Sequence, residues 1–175
     1  MYEDNNPELG IRYLNTAIMY HRHKKLEEAS VNLNKALNIF LSSYNTTNHP
    51  NVAQCYNMMG LVYGDAGNYN EAIEMHKKAL EIRKSILGDK HFDTATSYNN
   101  IGYILYLKAN YMEAIDYYTN AYNLFYSAVG SDHPQIKSSL GNIDMAYKKY
   151  LAEHPDDAKV MEKYQEFKKN HLNNQ

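Results

Sequence analysis

Slid against itself by 42 residues, this 175-residue sequence matches over a long stretch without a gap. The segment from His49 reads HPNVAQCYNMMGLVYGDAGNYNEAIEMHKKALEIRKSILG, and the segment from His91 reads HFDTATSYNNIGYILYLKANYMEAIDYYTNAYNLFYSAVG. Shared pairs include His49/His91, Ala53/Ala95, Tyr56/Tyr98, Asn57/Asn99, Gly60/Gly102, Asn68/Asn110, Tyr69/Tyr111, Ala72/Ala114, Ala79/Ala121 and Gly88/Gly130. An earlier copy starts at Pro7 with one extra residue, and a later, partial one starts at His133-Pro134. A period in this range marks a stacked array, in which each unit buries its apolar face only against its neighbours. The expected organisation is a single domain over residues 1–175, with repeats at about 7–48, 49–90 and 91–132, a partial copy at 133–152, and a capping helix at about 156–171.

Spacing inside each copy predicts helix, because Ala72, Met75, Ala79, Ile82 and Ile86 recur in steps of three and four, as do Ala114, Tyr117, Ala121, Leu124 and Ala128. With only 8 Gly and 4 Pro, little material is left for β-turns. The fold class is therefore all-α, with helices at about 8–22, 26–43, 51–65, 69–86, 93–107, 111–128, 135–151 and 157–170. Gly64 and Gly67 interrupt the first-helix pattern before Tyr69, and Gly88 and Gly130 sit where a left-handed cap would close a second helix. Ala17, Gly60 and Gly102 recur in the first helices and Ala29/Ala36, Ala72/Ala79 and Ala114/Ala121 in the second, which lets two helix backbones approach at their crossing.

This order of small and large positions resembles the tetratricopeptide repeat. The period near 42, the His-Pro start and the Tyr-Asn-Asn-Ile-Gly core resemble its kinesin-light-chain subgroup, over roughly residues 7–150. The resemblance implies an α-solenoid of about 3.5 antiparallel helix pairs that binds a peptide or a partner protein on a concave face lined by the first helices. Carried over by position, it points to Asn15, Gln54, Asn57, Asn99, Asn100, Tyr103, Tyr106 and Asn142. One amide donates and accepts, so it can hold both groups of an extended peptide backbone whatever the side chains are. Tyr103 and Tyr106 would add flat apolar contact with a polar tip. Family members that clamp a terminal carboxylate set two cations among these amides; the matching positions here are Arg22, Asp65, Leu107 and Lys149, which disfavours that use. Adaptor or scaffold work in the cytoplasm, with cytoskeletal association, is what the resemblance suggests.

The last copy departs from the pattern. Asp144 stands where Gly60 and Gly102 do, and Asp156 where Ala72 and Ala114 do, so that two carboxylates would be expensive to bury at a close crossing. The closing segment AKVMEKYQEFKKNHLNNQ has apolar residues at Val160, Met161, Tyr164 and Phe167 and reads as a cap over the open end of the stack, with docking on a partner as the alternative.

Other function classes find little support. A formal net charge of -2 supplies no footprint for a phosphate backbone and no polybasic arm for a membrane. No window approaches the apolar length of a membrane span, and the start of the chain lacks a secretory pattern. The single Cys55 cannot form an internal disulfide and reads as a small packing residue in an intracellular protein. His49, His91 and His133 recur one repeat apart, too far to share a metal, and read as caps or loop ligands; His21 and His23 point to different helix faces. There is no Gly-rich phosphate loop, no nucleophile elbow and no cofactor motif, while Glu28, Glu71 and Glu113 occupy first turns where the helix dipole favours an acid. The expectation is a non-enzyme without metal or cofactor, and a small-ligand sensor is the least supported reading.

The 18 Tyr and 21 Asn are unusual for a helical chain. Tyr13, Tyr56, Tyr98, Tyr20, Tyr63, Tyr69 and Tyr111 fall at packing positions. Asn68 and Asn110 fall in the inter-helix turns, where left-handed geometry is tolerated, while Asn173 and Asn174 fit no class. Tyr118, Tyr122 and Tyr126 lie on one helical stripe beside Tyr117. This stripe carries the alternative reading: a structural subunit of a larger complex or a homo-oligomer that buries a Tyr-rich outer surface.

Overall fold

The computed structural model describes residues 6–172, so Asn173 and Asn174 lie outside the described residues. Among the described residues it is all-α, of the α-solenoid class of antiparallel helix pairs: α1 Pro7–Arg22, α2 Leu26–Tyr44, α3 Pro50–Asp65, α4 Tyr69–Leu87, α5 Phe92–Leu107, α6 Tyr111–Val129, α7 Pro134–Glu153 and α8 Ala158–His171. The helices group into two compact units, Met1–Asp89 with α1 to α4 and Lys90–Gln175 with α5 to α8.

The repeating histidines start the first helices. The residue before the first turn is extended in each case, and its ring Nδ1 accepts the backbone N–H two residues on: Asn51 to His49, Asp93 to His91 and Gln135 to His133, each at 3.1 Å. A neutral imidazole here does the work usually given to Ser or Asp. Asn6 does the same for Glu8 at 2.9 Å in α1. Pro7, Pro50 and Pro134 follow their caps in the first turn, where a missing N–H is tolerated.

Three turn expectations need correction. Gly64 does not interrupt α3; it is buried within the helix, and the break comes at Gly67, whose φ is 81°. Lys24 and Ala109 hold the same register at φ 59° and 61°, so the left-handed residue precedes Asn68 and Asn110, which sit at ordinary φ of -83° and -84°. Gly88 and Gly130 do end their helices with positive φ, but at ψ 167° and -179°, an extended geometry rather than a left-handed cap.

The first unit is held by a core that joins Leu14, Ala17, Leu33, Phe40, Val52, Cys55, Met59 and Val62. In the second, Ala95, Ala121, Phe125, Ile136 and Leu140 cluster with Phe92 packed against them. Full burial of a residue such as Phe40 or Phe125 contributes about 1.5–3 kcal/mol. Helix α8 lies on α7 through buried Val160 and Tyr164, with the Tyr164 ring stacked 5.2 Å from that of Tyr147.

Glycine at the first-helix small position serves a more specific purpose than backbone approach. A Cβ added to Gly60 would come within 2.6 Å of the His76 ring, and one added to Gly102 within 2.8 Å of the Tyr118 ring. Both rings are fully buried. In the first copy the same register pairs Ala17 with Leu33, both also fully buried. In the fourth copy Asp144 faces no such ring. Its carboxylate keeps 19% side-chain exposure, accepts the Tyr164 hydroxyl at 2.7 Å and pairs with Lys148 at 2.7 Å. Asp156 lies exposed in the turn before α8. Neither carboxylate is therefore buried without a partner, and the expected penalty does not arise.

Candidate functional site

In the first unit, Asn15 on α1 and Gln54 on α3 are exposed, and Asn57 one turn beyond Gln54 is half-buried. In the second, Asn99 and Asn100 on α5 and Asn142 on α7 are half-buried. Asn142 Nδ2 donates to Asn99 Oδ1 at 3.0 Å, tying α5 to α7 across a 43-residue separation. This pair uses one donor and one acceptor. The Asn99 amide group and the Asn142 carbonyl keep hydrogen-bonding capacity for another molecule. Tyr103, one turn from Asn99, is 47% exposed, the kind of flat amphipathic surface that binds at low entropic expense. Tyr106 is half-buried, its ring 5.5 Å from that of Tyr111, and contributes less open surface.

Beneath this face lie the rings that glycine admits. Tyr118 is fully buried, and its hydroxyl has no hydrogen-bond partner among the described residues. Burial, together with nearby Tyr103 and Tyr106, pushes that phenol's pKa upward. His76 has both ring nitrogens without a partner, and burial, helped by the Arg83 charge, pulls its pKa down to about 4. It is a neutral packing residue at ordinary pH.

Sequence spacing alone missed one cluster. Asp65 Oδ2 accepts from Lys24 Nζ at 2.8 Å and lies 3.0 Å from His21 Nε2, so the α1–α2 turn is fastened to the end of α3. The Lys24 hydrogen bond is the main reason that the Asp65 carboxyl titrates below its ordinary range. Where a carboxylate clamp would hold a cation, this unit holds an acid with Lys24 and His21 attached. The legible signal was the acid itself at a register that Arg22 occupies one copy earlier.

Cys55 is fully buried, and burial pushes its thiol up to about 12, which leaves it unreactive at neutral pH. Among the described residues no group of three His, Cys, Asp or Glu is placed to hold a metal ion. No helix among them is long and apolar enough to cross a membrane. Of the outer tyrosines, Tyr118 is buried, Tyr122 packs between Tyr126 and His171 at 6.0 and 5.4 Å, and Tyr126 stays 51% exposed.

A family model described as tetratricopeptide repeat matches residues 13–85 and 51–127. Among solved structures, the chain is similar to BtubC (BKLC) from P. vanneervenii, with a TM-score of 0.77 and 18% identity over 94% of this chain and 65% of that one. It is also similar to the nearly identical TPR-like repeats of a putative kinesin light chain from Podosopora anserina, with a TM-score of 0.73 and 17% identity over 95% and 78% of the two chains. The apo form of RapI matches with a TM-score of 0.73 and 19% identity over 97% of this chain and 59% of that one. The chain thus spans about two-thirds of the length of BtubC and less of RapI. The likeness to kinesin-light-chain repeats read from the His-Pro and Tyr-Asn-Asn-Ile-Gly segments is met in three dimensions, and at these identities it is a likeness of fold. No curated protein sequence matches significantly.

Proposed function

The chain belongs to the tetratricopeptide repeat family, and from that premise we propose that it is a non-enzymatic interaction module whose first helices bind a peptide or a partner protein in an adaptor or scaffold role inside the cell. One observation carries the reading: in the second unit Asn99 and Asn142 present a joined pair of amides beside the exposed ring of Tyr103. Amides with spare donors and acceptors satisfy the backbone of an extended ligand, and the tyrosine adds apolar contact without a charge requirement. Gln54 on α3 and Asn15 on α1 present exposed amides in the first unit, where Asn57 is half-buried. Charge selection by a carboxylate clamp is no part of the proposal, because Asp65 and Leu107 stand at the central clamp positions.

The test is to select peptides from a display library against the protein and measure their affinity for Asn57→Ala and Asn99→Ala variants. Losses of about 0.5–1.5 kcal/mol each are expected, the worth of a hydrogen bond. Losses below that range at both positions refute the amide face. The alternative, a structural subunit joined through its outer tyrosines, keeps only Tyr126 and Val129 of α6 as large exposed surface, at 51% and 38%. Light scattering across a concentration series, with Tyr126→Ala alongside, checks it.

A further inference from the structure

Packing over Gly102 asks for the ring of Tyr118 but not for its hydroxyl. The first and fourth copies fill the same register with Leu33 and Val160, both buried and both apolar. Phenylalanine would supply a ring as well, as buried Phe125 does elsewhere on α6. The Tyr118 hydroxyl instead lies buried with no hydrogen-bond partner among the described residues, an arrangement that costs stability in the free protein. Burial raises its pKa, so it stays protonated and remains a donor, and it lies near enough to Tyr103 and Tyr106 to feel their charge. Tyr103 is 47% exposed, so its ring can change rotamer and open the surface beside it without disturbing the core.

We propose that the Tyr118 hydroxyl is the floor of a binding subsite for a side-chain carboxamide, so that the ligand of the second unit is a peptide that anchors a Gln beside Tyr103 and Tyr106; this presupposes that the amide face binds a peptide. The three phenols select the group. A carboxamide oxygen accepts from Tyr118, and its NH2 donates to the hydroxyl oxygens of Tyr103 and Tyr106, which accept as well as donate. A carboxylate would bring a charge to a buried neutral donor. On α5 the clamp register holds Leu107, and the cation at that register of α7, Lys149, is exposed and meets charge in water. An aliphatic side chain would leave the donor unpaired. Gln is favoured over Asn by reach, since its extra methylene carries the amide deeper.

The probes are phage libraries of random peptides with the central residue fixed as Gln, Glu or Leu, panned on the full chain. The best Gln-centred sequence is made with fluorescein and titrated by fluorescence polarisation, beside versions with Leu or Glu at the centre. The Gln peptide should bind about tenfold more tightly than either, the worth of a buried hydrogen bond. Tyr118→Phe keeps the ring and removes the donor, and on that variant the advantage over Leu should fall to within about twofold. The same variant should melt at or above the parent temperature, because the hydroxyl has no partner to lose. Asn99→Ala should weaken all three peptides alike. A Gln advantage that survives Tyr118→Phe, a Glu-centred or Leu-centred peptide that binds as tightly, or a Tyr118→Phe variant that melts lower overturns the subsite. Where any of these is found while Asn99→Ala still weakens binding, the amide face stands and the subsite alone falls. If no library yields a peptide that binds saturably, both fall together.

Discussion

Replacing Gly60 by Ala sets two effects of known size against each other. Alanine in a helix interior is favoured over glycine by about 1 kcal/mol. The new methyl, however, lies 2.6 Å from Cε1 and Nε2 and 2.7 Å from Nδ1 of His76, about 1 Å inside ordinary contact. His76 is fully buried, so its ring cannot swing into solvent, and forced repacking of this kind costs roughly 1–3 kcal/mol before the propensity gain is counted. Overpacking wins, and Gly60→Ala should destabilise by up to about 2 kcal/mol, lowering the melting temperature by up to roughly 8 °C for a chain of this length. The first copy shows the remedy, since Ala17 stands there at the register of Gly60 and Leu33 at that of His76, both fully buried. The double variant Gly60→Ala/His76→Leu rebuilds that pair, and its unfolding free energy from urea titration should exceed the additive expectation by about 1 kcal/mol or more. A stabilising Gly60→Ala, or a double variant additive within about 0.5 kcal/mol, would refute the ring-over-glycine reasoning.

Gly141 on α7 has nothing within 4 Å of an added Cβ, so Gly141→Ala should stabilise by about 0.5–1 kcal/mol in the same urea assay, opposite in sign to Gly60→Ala. His76 binds its proton less readily when folded, at about 4 against 6.5 unfolded, so its contribution to stability is complete above about pH 6.5 and drains away as pH falls toward 4. That loss amounts to about 3 kcal/mol at most, and His76→Leu should flatten the stability profile between pH 7 and pH 5 by part of it. His91→Ala removes the acceptor for the Asp93 N–H and should cost about 0.5–2 kcal/mol by thermal melting, with His91→Asn restoring most of it. Ala109 holds φ 61° at the register of Gly67, and Ala109→Gly should therefore stabilise the α5–α6 turn by up to roughly 1 kcal/mol despite glycine's entropy.

Helix positions were legible because the repeat states each boundary several times over. The expected α1 start at 8 and α7 end at 151 fall at 7 and 153, and α8 shifts by one residue. What packs against what was harder. The partner of Gly60 stands sixteen residues away on the next helix, and a helical wheel drawn for α3 alone shows only a small residue on a crossing face. The signal was present in the register itself, since Ala17 goes with Leu33, Gly60 with His76 and Gly102 with Tyr118. The turn assignments failed for a related reason. Asn is the residue that tolerates left-handed geometry best among non-glycines, yet Lys24 and Ala109 take it, because the short turn fixes which position must reverse regardless of preference. Of the site, the amides were found by position. Their mutual bond between Asn99 and Asn142, and the Asp65 cluster, depend on neighbouring copies meeting in space and could not be read from one copy.

The most direct test of an interaction face built on the first helices is a side-chain amide map by NMR, recorded with and without a library-selected peptide. The Asn99 and Asn142 side-chain amides and the ring of Tyr103 should shift and saturate together, with Gln54 and Asn57 responding if the first unit also binds. Saturating shifts confined to the second helices, at Tyr126 and Val129 of α6, with the Asn99 and Asn142 amides unmoved, would contradict it.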